Sequence, residues 1–279
     1  MFKSLSEFKA KVDEFLINDN HLQQWSVTMQ HDEYGIISVK ITEQNKTSYS
    51  TDLCNLFFKY GSDKGGGAYF DPLNTDTPSF VRVELPYGNP GEDKFSIKVT
   101  NHNFSRFYHK LFKENKEKKL NIFEMGIGVD NALAYSKSAG SLSAWKEYFS
   151  NSNIFGADIE PALIKDKEIK TFVCDQTNNK QVKEMFKKIN KKFNLILDDG
   201  LHCPDGNYSF FCSAYPFLKK GGVYIVEDVC LTEEENQNLA SRHMKNLELI
   251  RKEYKPRFAE LINIVHNNGT DNNLLVVYK

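Results

Sequence analysis

The 279-residue chain contains no apolar run of the roughly 18 residues that a membrane-spanning helix needs. Its first residues, MFKSLSEFKAKVDEF, mix charged and apolar side chains, which is not the pattern of a secretory signal. The five cysteines are odd in number and show no CxxC spacing, so neither a zinc site nor a disulfide framework is indicated. These absences predict a cytoplasmic protein without a membrane span.

The chain also lacks an excess of one charge, because its 36 Lys and Arg residues nearly balance its 37 Asp and Glu residues and the net charge is -1. Nucleic-acid binding relies on clustered Lys and Arg, and the run KENKEKK (113–119) is diluted by glutamates. We therefore expect no nucleic-acid partner. A hydrophobic content of 40% over this length predicts one main folded domain with an appendage.

Residues 1–50 are predicted to form a small helix-plus-hairpin appendage that serves contacts between subunits, so we expect a homo-oligomer. Ser4 and Glu7 form a capping box at the start of a helix. The segments WSVTMQ (25–30) and IISVKITE (36–43) flank a turn-forming stretch and predict a hairpin. The apolar face of the helix is predicted from its spacing to contain Phe8, Val12, Phe15 and Leu16.

Residues 51–279 are predicted to form the main domain. Thr51 is placed to cap a short helix that leads into the glycine-rich stretch GSDKGGG (61–67). A second hairpin is predicted from FVRVEL and FSIKVT, which would make an insertion at about 80–100.

Beyond residue 101, apolar segments alternate with amphipathic ones. This alternation predicts an α/β fold with a doubly wound, mostly parallel sheet covered by helices on both faces. The last two segments, INIVHNN and NNLLVVYK, are predicted to pair antiparallel at the edge. The predicted parallel strands are LNIFEM, NIFGADI, KTFVC, FNLILDD and GGVYIVED.

The stretch FEMGIGVDN (123–131) has the first two glycines of a nucleotide-binding turn, Gly126 and Gly128, but lacks the third. A dinucleotide fingerprint wants glycine at position 131, where this chain has Asn131. The strand also ends with Glu124, a poor neighbour for a diphosphate. A ligand with a cationic amino group and a ribose, but no phosphate, fits better, and S-adenosylmethionine is such a ligand.

Two further acids follow successive strands. Asp158 is placed to accept hydrogen bonds from ribose hydroxyls, and Asp175 to meet the adenine amino group. Acidic residues at strand ends also cap the helices that follow, so each of these residues, taken alone, could equally have a purely structural role. Their succession favours a nucleoside site at this edge of the sheet.

A second group of polar residues follows the next two strands, in LDDGLH and VEDV. Adjacent parallel strands bring Asp199 close to Glu227 and Asp228, and three carboxylates suit Mg²⁺. His202 is then placed to take the proton of a hydroxyl group as general base, with Asp199 beside it. The residues alone leave open whether Asp198 or Asp199 faces the metal.

In these motifs the chain resembles the class I S-adenosylmethionine-dependent methyltransferases, which have a Rossmann-like fold, and among them the macrocin and mycinamicin sugar O-methyltransferases. The resemblance extends in order from Tyr60 to Val229. DDG-x-H followed by ED is its most specific part. The segments that carry it are KYGSDKG (59–65), FEMGIGVDN, SLSAWKEYF with IFGADIEP (141–161), DDGLH and VED.

The resemblance implies a role for each matching residue. It favours Asp199 over Asp198 as the metal ligand, next to Glu227 and Asp228, and leaves Asp198 with the cofactor. It also implies His202 as the base. The implied cofactor residues are Glu124, Gly126 and Gly128 at the methionine end, Asp158 at the ribose, Asp175 and Gln176 at the adenine, Tyr60, Ser62 and Asp63 in a lid, and Ser143 and Trp145 along the pocket.

The expected activity is therefore magnesium-dependent methylation of a sugar hydroxyl on a surface polysaccharide, nucleotide sugar or glycoside. A small non-sugar acceptor, with a phosphorus-containing group or an amine, stays open. An NAD-dependent sugar oxidoreductase would need the third glycine. A metal hydrolase would leave EMGIG and Asp158 without a role, and the metal and base residues argue against a non-catalytic subunit.

Overall fold

The computed structural model contains one large mixed sheet with helices on both faces. Among the described residues, no helix combines the length and the apolar character needed to cross a membrane. The residues that the structure describes are 1–19, 25–31, 37–43, 51–62, 64–65, 68–71, 96–99, 102–128, 138–162, 164, 166–230, 238–264 and 272–279.

The large sheet has seven strands: β5 (Asn121–Met125), β6 (Asn153–Asp158), β7 (Lys170–Val173), β8 (Phe193–Asp198), β9 (Leu218–Val226), β10 (Phe258–Asn263) and β11 (Asn273–Tyr278). Their order is β10-β11-β9-β8-β5-β6-β7, and the five from β9 to β7 are parallel. Strand β11 is antiparallel to both of its neighbours. The chain leaves β5 toward β6 and β7, then returns to β8 on the other side. The strand order therefore reverses between β5 and β8, where open α/β sheets bind ligands.

Two hydrophobic cores lie on opposite faces of this sheet. Along β5, Ile122 belongs to one core and Phe123 to the other, and Val276 and Val277 of β11 divide in the same way. The alternation follows from the two-residue period of a strand. One face is covered by α1 (Leu5–Glu14), α2 (Asp52–Tyr60), α3 (Phe104–Phe112) and α4 (Gly140–Tyr148), and the other by α5 (Asn179–Ile189), α6 (Pro204–Ala214) and α7 (Leu239–Leu249). The predicted doubly wound α/β fold is confirmed.

Helix α1 packs against the large sheet. Ser4 accepts a hydrogen bond from the Glu7 amide at 3.1 Å, as the capping box predicts. Phe8 is fully buried and stacks on Tyr278 of β11, with ring centroids 4.6 Å apart. Leu16, expected on the same face, is 39% exposed, because it lies in the π-helical segment Phe15–Asp19, where the α-helical spacing no longer applies. The division of the chain at residue 50 stays a prediction.

Both predicted hairpin regions contain antiparallel strands. β1 (Trp25–His31) pairs with β2 (Ile37–Glu43), as predicted. β4 (Ser96–Val99) pairs with β3 (Ala68–Asp71), and the expected partner FVRVEL (80–85) lies outside the described residues.

The structure adds detail to three elements in the C-terminal half of the chain. Helix α6 begins at Pro204, because proline fits the first helical position and Cys203 Sγ accepts a hydrogen bond from the Gly206 amide at 3.4 Å. Strand β10 begins at Phe258, four residues before INIVHNN. Helix α7 was not predicted, because most of its side chains are polar and it buries only His243 and Leu247, which gives no clear apolar periodicity.

Candidate cofactor and metal site

A cavity of about 570 Å³ lies beyond the carboxyl ends of strands β5 to β9, at the point where the strand order reverses. This is within the size range of small-molecule sites. The described residues that line it include six predicted for the cofactor, together with Asp199, Asp228 and His202. The six are Ser62, Gly126, Gly128, Asp158, Asp175 and Gln176, and Ile127, Ile159 and Leu201 add apolar surface.

The glycine turn, residues 126–128, packs closely against the backbone that follows strand β8. Gly126 has φ +80°, and a Cβ added there would lie 1.8 Å from the carbonyl oxygen of Asp199. Gly128 also has a positive φ of 76°. The Gly126 amide donates to Ala157 at 2.9 Å, which ties the turn to β6. Position 126 therefore requires glycine for its φ and for the space available.

Asp158 closes the turn from the β6 side. Its Oδ2 accepts hydrogen bonds from the amides of Ile127 at 2.8 Å and Gly128 at 3.0 Å. Its Oδ1 accepts from the Ile159 amide at 2.7 Å. The carboxylate thus satisfies the backbone N–H groups that a dinucleotide-binding turn would direct at a pyrophosphate.

Asp175 and Gln176 lie beyond β7 and both line the cavity. Asp175 accepts from the Thr177 amide and hydroxyl at 2.8 and 2.7 Å. Gln176 donates to Asp198 at 2.9 Å and accepts from the Leu201 amide at 2.8 Å. The Gln176 side chain thereby joins the end of β7 to the loop after β8.

Asp198 and Asp199 point in different directions, as neighbours at a strand end do. Asp199 lines the cavity, whereas Asp198 is fully buried and accepts from Gln176, Asn207 and Tyr224. Burial raises the pKa of Asp198 to about 6. Asp198 thus acts on the cavity through Gln176, and its direct contact with a cofactor stays a prediction.

Lys64, which no sequence motif indicated, is the central cation of the site. Its side chain is 2% exposed, and its Nζ contacts Asp199 Oδ2, Glu227 Oε2 at 2.5 Å and Glu124 Oε1 at 3.5 Å. A lysine in the glycine-rich stretch GSDKGGG looks like a solvated loop residue. The signal that could have found it is charge balance, because the predicted site had three carboxylates and no lysine or arginine side chain.

Glu124 and Glu227 are buried at this cluster and do not line the cavity. Trp145 Nε1 donates to Glu124 at 2.8 Å, and the Tyr108 hydroxyl donates to Glu227 at 2.5 Å. Burial raises the pKa of Glu124 to about 7 and holds the pKa of Glu227 well above its usual range, although the Lys64 ammonium opposes both shifts. One ammonium therefore does not fully compensate the negative charge of the cluster.

His202 lies at the mouth of the cavity between two carboxylates. Its Nε2 is 3.2 Å from Asp199 Oδ1, and its Nδ1 is 3.2 Å from Asp228 Oδ2. Burial opposes protonation, but hydrogen bonding and attraction to Asp199, with the charge of Asp228, raise the pKa of His202 to about 10. His202 and Asp228 both have left-handed backbone conformations, with φ 51° and 54°. Such strained residues cluster at functional sites.

Asp228 also contacts His102, whose Nε2 lies 3.4 Å from Oδ1. The His102 ring stacks on Phe104, and its Nδ1 is 3.2 Å from Oδ1 of Asn272. Asp228 Oδ1 itself has no hydrogen-bond partner among the described residues. A buried carboxylate oxygen in this state is suited to a cation.

The donor set fits a divalent ion at Asp199 and Asp228. One ligand atom from each of Asp199, His202 and Asp228 lies within 4.8 Å of the others. Hard carboxylate oxygens are what Mg²⁺ prefers. The third predicted ligand, Glu227, instead has its two oxygens on Tyr108 and Lys64, so its role as a ligand stays a prediction.

Other residues predicted for the cofactor lie apart from this cavity. Trp145 is fully buried beneath Glu124. Tyr60 and Ser143 line a second cavity of about 500 Å³, where Tyr60 donates to Glu147 at 2.5 Å. Asp63 lies outside the described residues. The cofactor roles of these four residues stay predictions.

Comparison with known proteins gives O-methyltransferases as relatives, although no protein-family model matches the chain. Demethylmacrocin O-methyltransferase of Streptomyces fradiae is 30% identical over 129 residues, 46% of this chain and 32% of that protein. The 8-demethyl-8-alpha-L-rhamnosyl tetracenomycin-C 2'-O-methyltransferase of Streptomyces olivaceus is 28% identical over 156 residues, 55% of this chain and 38% of that protein. The matched part of this chain thus spans about a third of the length of these relatives, and it confirms the resemblance stated from the motifs.

Among solved structures, the chain is similar to the MycE methyltransferase from the mycinamycin biosynthetic pathway, in complex with Mg, SAH and mycinamycin VI. The TM-score is 0.59 at 19% identity, and the match covers 82% of this chain and 55% of that chain. At this identity the likeness establishes the fold. The chain therefore has the Rossmann-like fold of the class I methyltransferases, and its sequence is similar to that of sugar O-methyltransferases.

Proposed function

We propose that this protein transfers a methyl group from S-adenosylmethionine to a sugar hydroxyl with the help of a divalent ion. The observation that carries the proposal is the placement of the glycine turn, Asp158 and the Asp199–His202–Asp228 cluster around one cavity. The turn and Asp158 suit a nucleoside, and the cluster suits a divalent ion and a proton acceptor. The similarity to O-methyltransferases agrees with this chemistry.

When bound, S-adenosylmethionine would supply a methyl group on a sulfonium, and the ion would supply a positive charge that lowers the pKa of the acceptor hydroxyl. Asp158 would orient the ribose from one side of the cavity. Ile159 and Leu201 are 66% and 56% exposed, and they provide apolar surface for the adenine near Asp175 and Gln176. Asp199 and Asp228 would hold the ion.

His202 would accept the proton of the acceptor hydroxyl at a ring nitrogen. In the structure its two nitrogens face Asp199 and Asp228, and its side chain is 45% exposed, so the ring is accessible from the cavity mouth. The two carboxylates raise the pKa of His202 to about 10 against the effect of burial, which keeps the ring protonated. A positive charge on those carboxylates would weaken this effect and make the neutral ring available as a base.

The acceptor would be a sugar of a glycoside, nucleotide sugar or surface polysaccharide. Similarity to antibiotic-sugar methyltransferases supports a sugar, and a small non-sugar acceptor is the alternative. We also propose that the protein is cytoplasmic and works as a homo-oligomer.

An NAD-dependent oxidoreductase is disfavoured by Asp158. Its Oδ2 accepts the hydrogen bonds of the Ile127 and Gly128 amides, so these amides cannot donate to a pyrophosphate. A pyrophosphate at this turn would also be repelled by the negative charge of the carboxylate. Position 131 has no glycine for a dinucleotide, and the three described turn amides, of residues 126–128, already donate to other groups.

Isothermal titration with S-adenosylhomocysteine and, separately, with NAD tests the cofactor. We expect S-adenosylhomocysteine to bind with a micromolar Kd and NAD not to bind; the reverse result would reject the proposal. Transfer of radiolabelled methyl groups to a panel of glycosides and nucleotide sugars, with matched non-sugar alcohols and amines, tests the acceptor. Activity that survives EDTA would reject the role of the ion.

A further inference from the structure

Lys64 reaches the acidic cluster from a segment outside the large sheet. It follows α2, where the Ser62 amide donates to Phe57 at 2.8 Å, and its own carbonyl accepts from the Ser105 amide at 3.0 Å. These bonds fix the backbone at Lys64 between the end of α2 and the start of α3. The side chain extends from there to Glu124 in β5, Asp199 just after β8 and Glu227 just after β9.

The Lys64 ammonium occupies the space between the two carboxylates that the sequence assigns to one metal ion. Its Nζ contacts Asp199 Oδ2 and lies 2.5 Å from Glu227 Oε2, while Glu124 is more distant at 3.5 Å. An ion that bridged the same two oxygens would need to lie about 2.1 Å from each of them. No room exists for such an ion and the ammonium together.

We propose, on the basis of the proposed function, that Lys64 is the resident cation of the acidic cluster formed by Glu124, Asp199 and Glu227. Its ammonium and a divalent ion are alternative occupants of the position between Asp199 and Glu227, so that Glu227 joins Asp199 and Asp228 as a ligand only when the ammonium withdraws. Lys64 compensates part of the negative charge of the cluster while no ion is bound. Entry of an ion requires the ammonium to withdraw.

A withdrawal of Lys64 has a consequence for the backbone around it. The ion pairs of the ammonium tie the segment at Lys64 to the sheet edge, so their loss releases one anchor of the segment. The bond from the Ser105 amide to the Lys64 carbonyl, in the first turn of α3, would then open more often. Ion binding is thereby coupled to the order of the segment beside the cavity.

The test measures affinity for Mn²⁺ alone, by electron paramagnetic resonance or calorimetry, in the wild type and in Lys64→Met. Methionine has a similar length and no charge. Two charges of +1 and +2 about 4 Å apart repel strongly enough, even in water, to weaken binding by more than about tenfold. We therefore expect Lys64→Met to bind Mn²⁺ at least about tenfold more tightly than the wild type.

Lys59→Met is the matched control. It removes the same charge from the end of α2, but Lys59 is exposed and pairs with Glu147, away from the cluster. Its affinity for Mn²⁺ should equal that of the wild type. Equal, weaker or undetectable binding by a folded Lys64→Met protein would overturn the proposal.

A measurement on the wild type covers the case in which Lys64→Met does not fold. Saturating Mn²⁺ should speed hydrogen exchange at the Ser105 amide and in peptides that contain Lys64, and unchanged or slower exchange would overturn the proposal. Binding of S-adenosylhomocysteine without metal is scored separately. If that ligand does not bind, the proposed function fails whatever the Mn²⁺ measurements show.

Discussion

Replacement of Gly126 by alanine tests whether the glycine turn must approach the end of β8. An added Cβ would lie 1.8 Å from the carbonyl oxygen of Asp199 and 2.6 Å from Cα of Gly200, and both are backbone atoms that cannot rotate away. The left-handed backbone adds a cost of about 1–2 kcal/mol, and forced overpacking adds about 1–3 kcal/mol. We expect Gly126→Ala to lower the free energy of unfolding by about 3 kcal/mol and to abolish measurable binding of S-adenosylhomocysteine.

Gly221→Ala is the matched control. Gly221 has a similar φ of +75°, but an added Cβ would meet only the Tyr278 hydroxyl at 3.5 Å and the Phe2 carbonyl at 4.0 Å. We therefore expect Gly221→Ala to lower the free energy of unfolding by about 1 kcal/mol, through the left-handed backbone alone, and to leave cofactor binding unchanged. Urea unfolding and titration calorimetry measure both quantities. If Gly126→Ala loses no more stability than Gly221→Ala and still binds S-adenosylhomocysteine, the reasoning about the turn is refuted.

Two further predictions concern histidines. His202→Ala should lower kcat for methyl transfer by about 100-fold or more while the Kd for S-adenosylhomocysteine stays unchanged, and near-normal turnover would show that another group takes the proton. His243 is buried in α7, and burial, with the nearby Arg242 charge, lowers its pKa from 6.5 to about 4. Because the unfolded chain gains a proton at His243 below pH 6.5 and the folded chain does not, this group reduces stability as the pH falls. Between pH 7 and pH 5 the free energy of unfolding should fall by about 2 kcal/mol more in the wild type than in His243→Gln, and equal pH dependence in urea unfolding would contradict the prediction.

The central strands of the sheet were predictable because they are buried on both faces. FEMG, FGAD and LILDD are short apolar runs that end in glycine or acid, which is typical of buried parallel strands. The sequence also placed the acids at one edge, since parallel strands bring their carboxyl ends together. It could not show that Asp158 binds the turn amides, because that depends on the distance between two loops.

Lys64 and His102 were not predictable by the same reasoning. Each reaches the cluster from a segment that precedes the first strand of the large sheet, and no strand period fixes where their side chains lie. Helix α7 was missed for a different reason. It buries only His243 and Leu247 of its own residues, too few to give a clear apolar stripe.

The position of β11 has a consequence for the order in which the protein can fold. This strand comes from the last described residues, yet it lies between β9 and β10, and all six of its residues are buried. Phe8 of α1 stacks on Tyr278, so the first helix packs on a strand made from the other end of the chain. During synthesis, α1 therefore leaves the ribosome long before its packing partner exists. Contacts of such long range close slowly, and the apolar face of α1 stays exposed until they do.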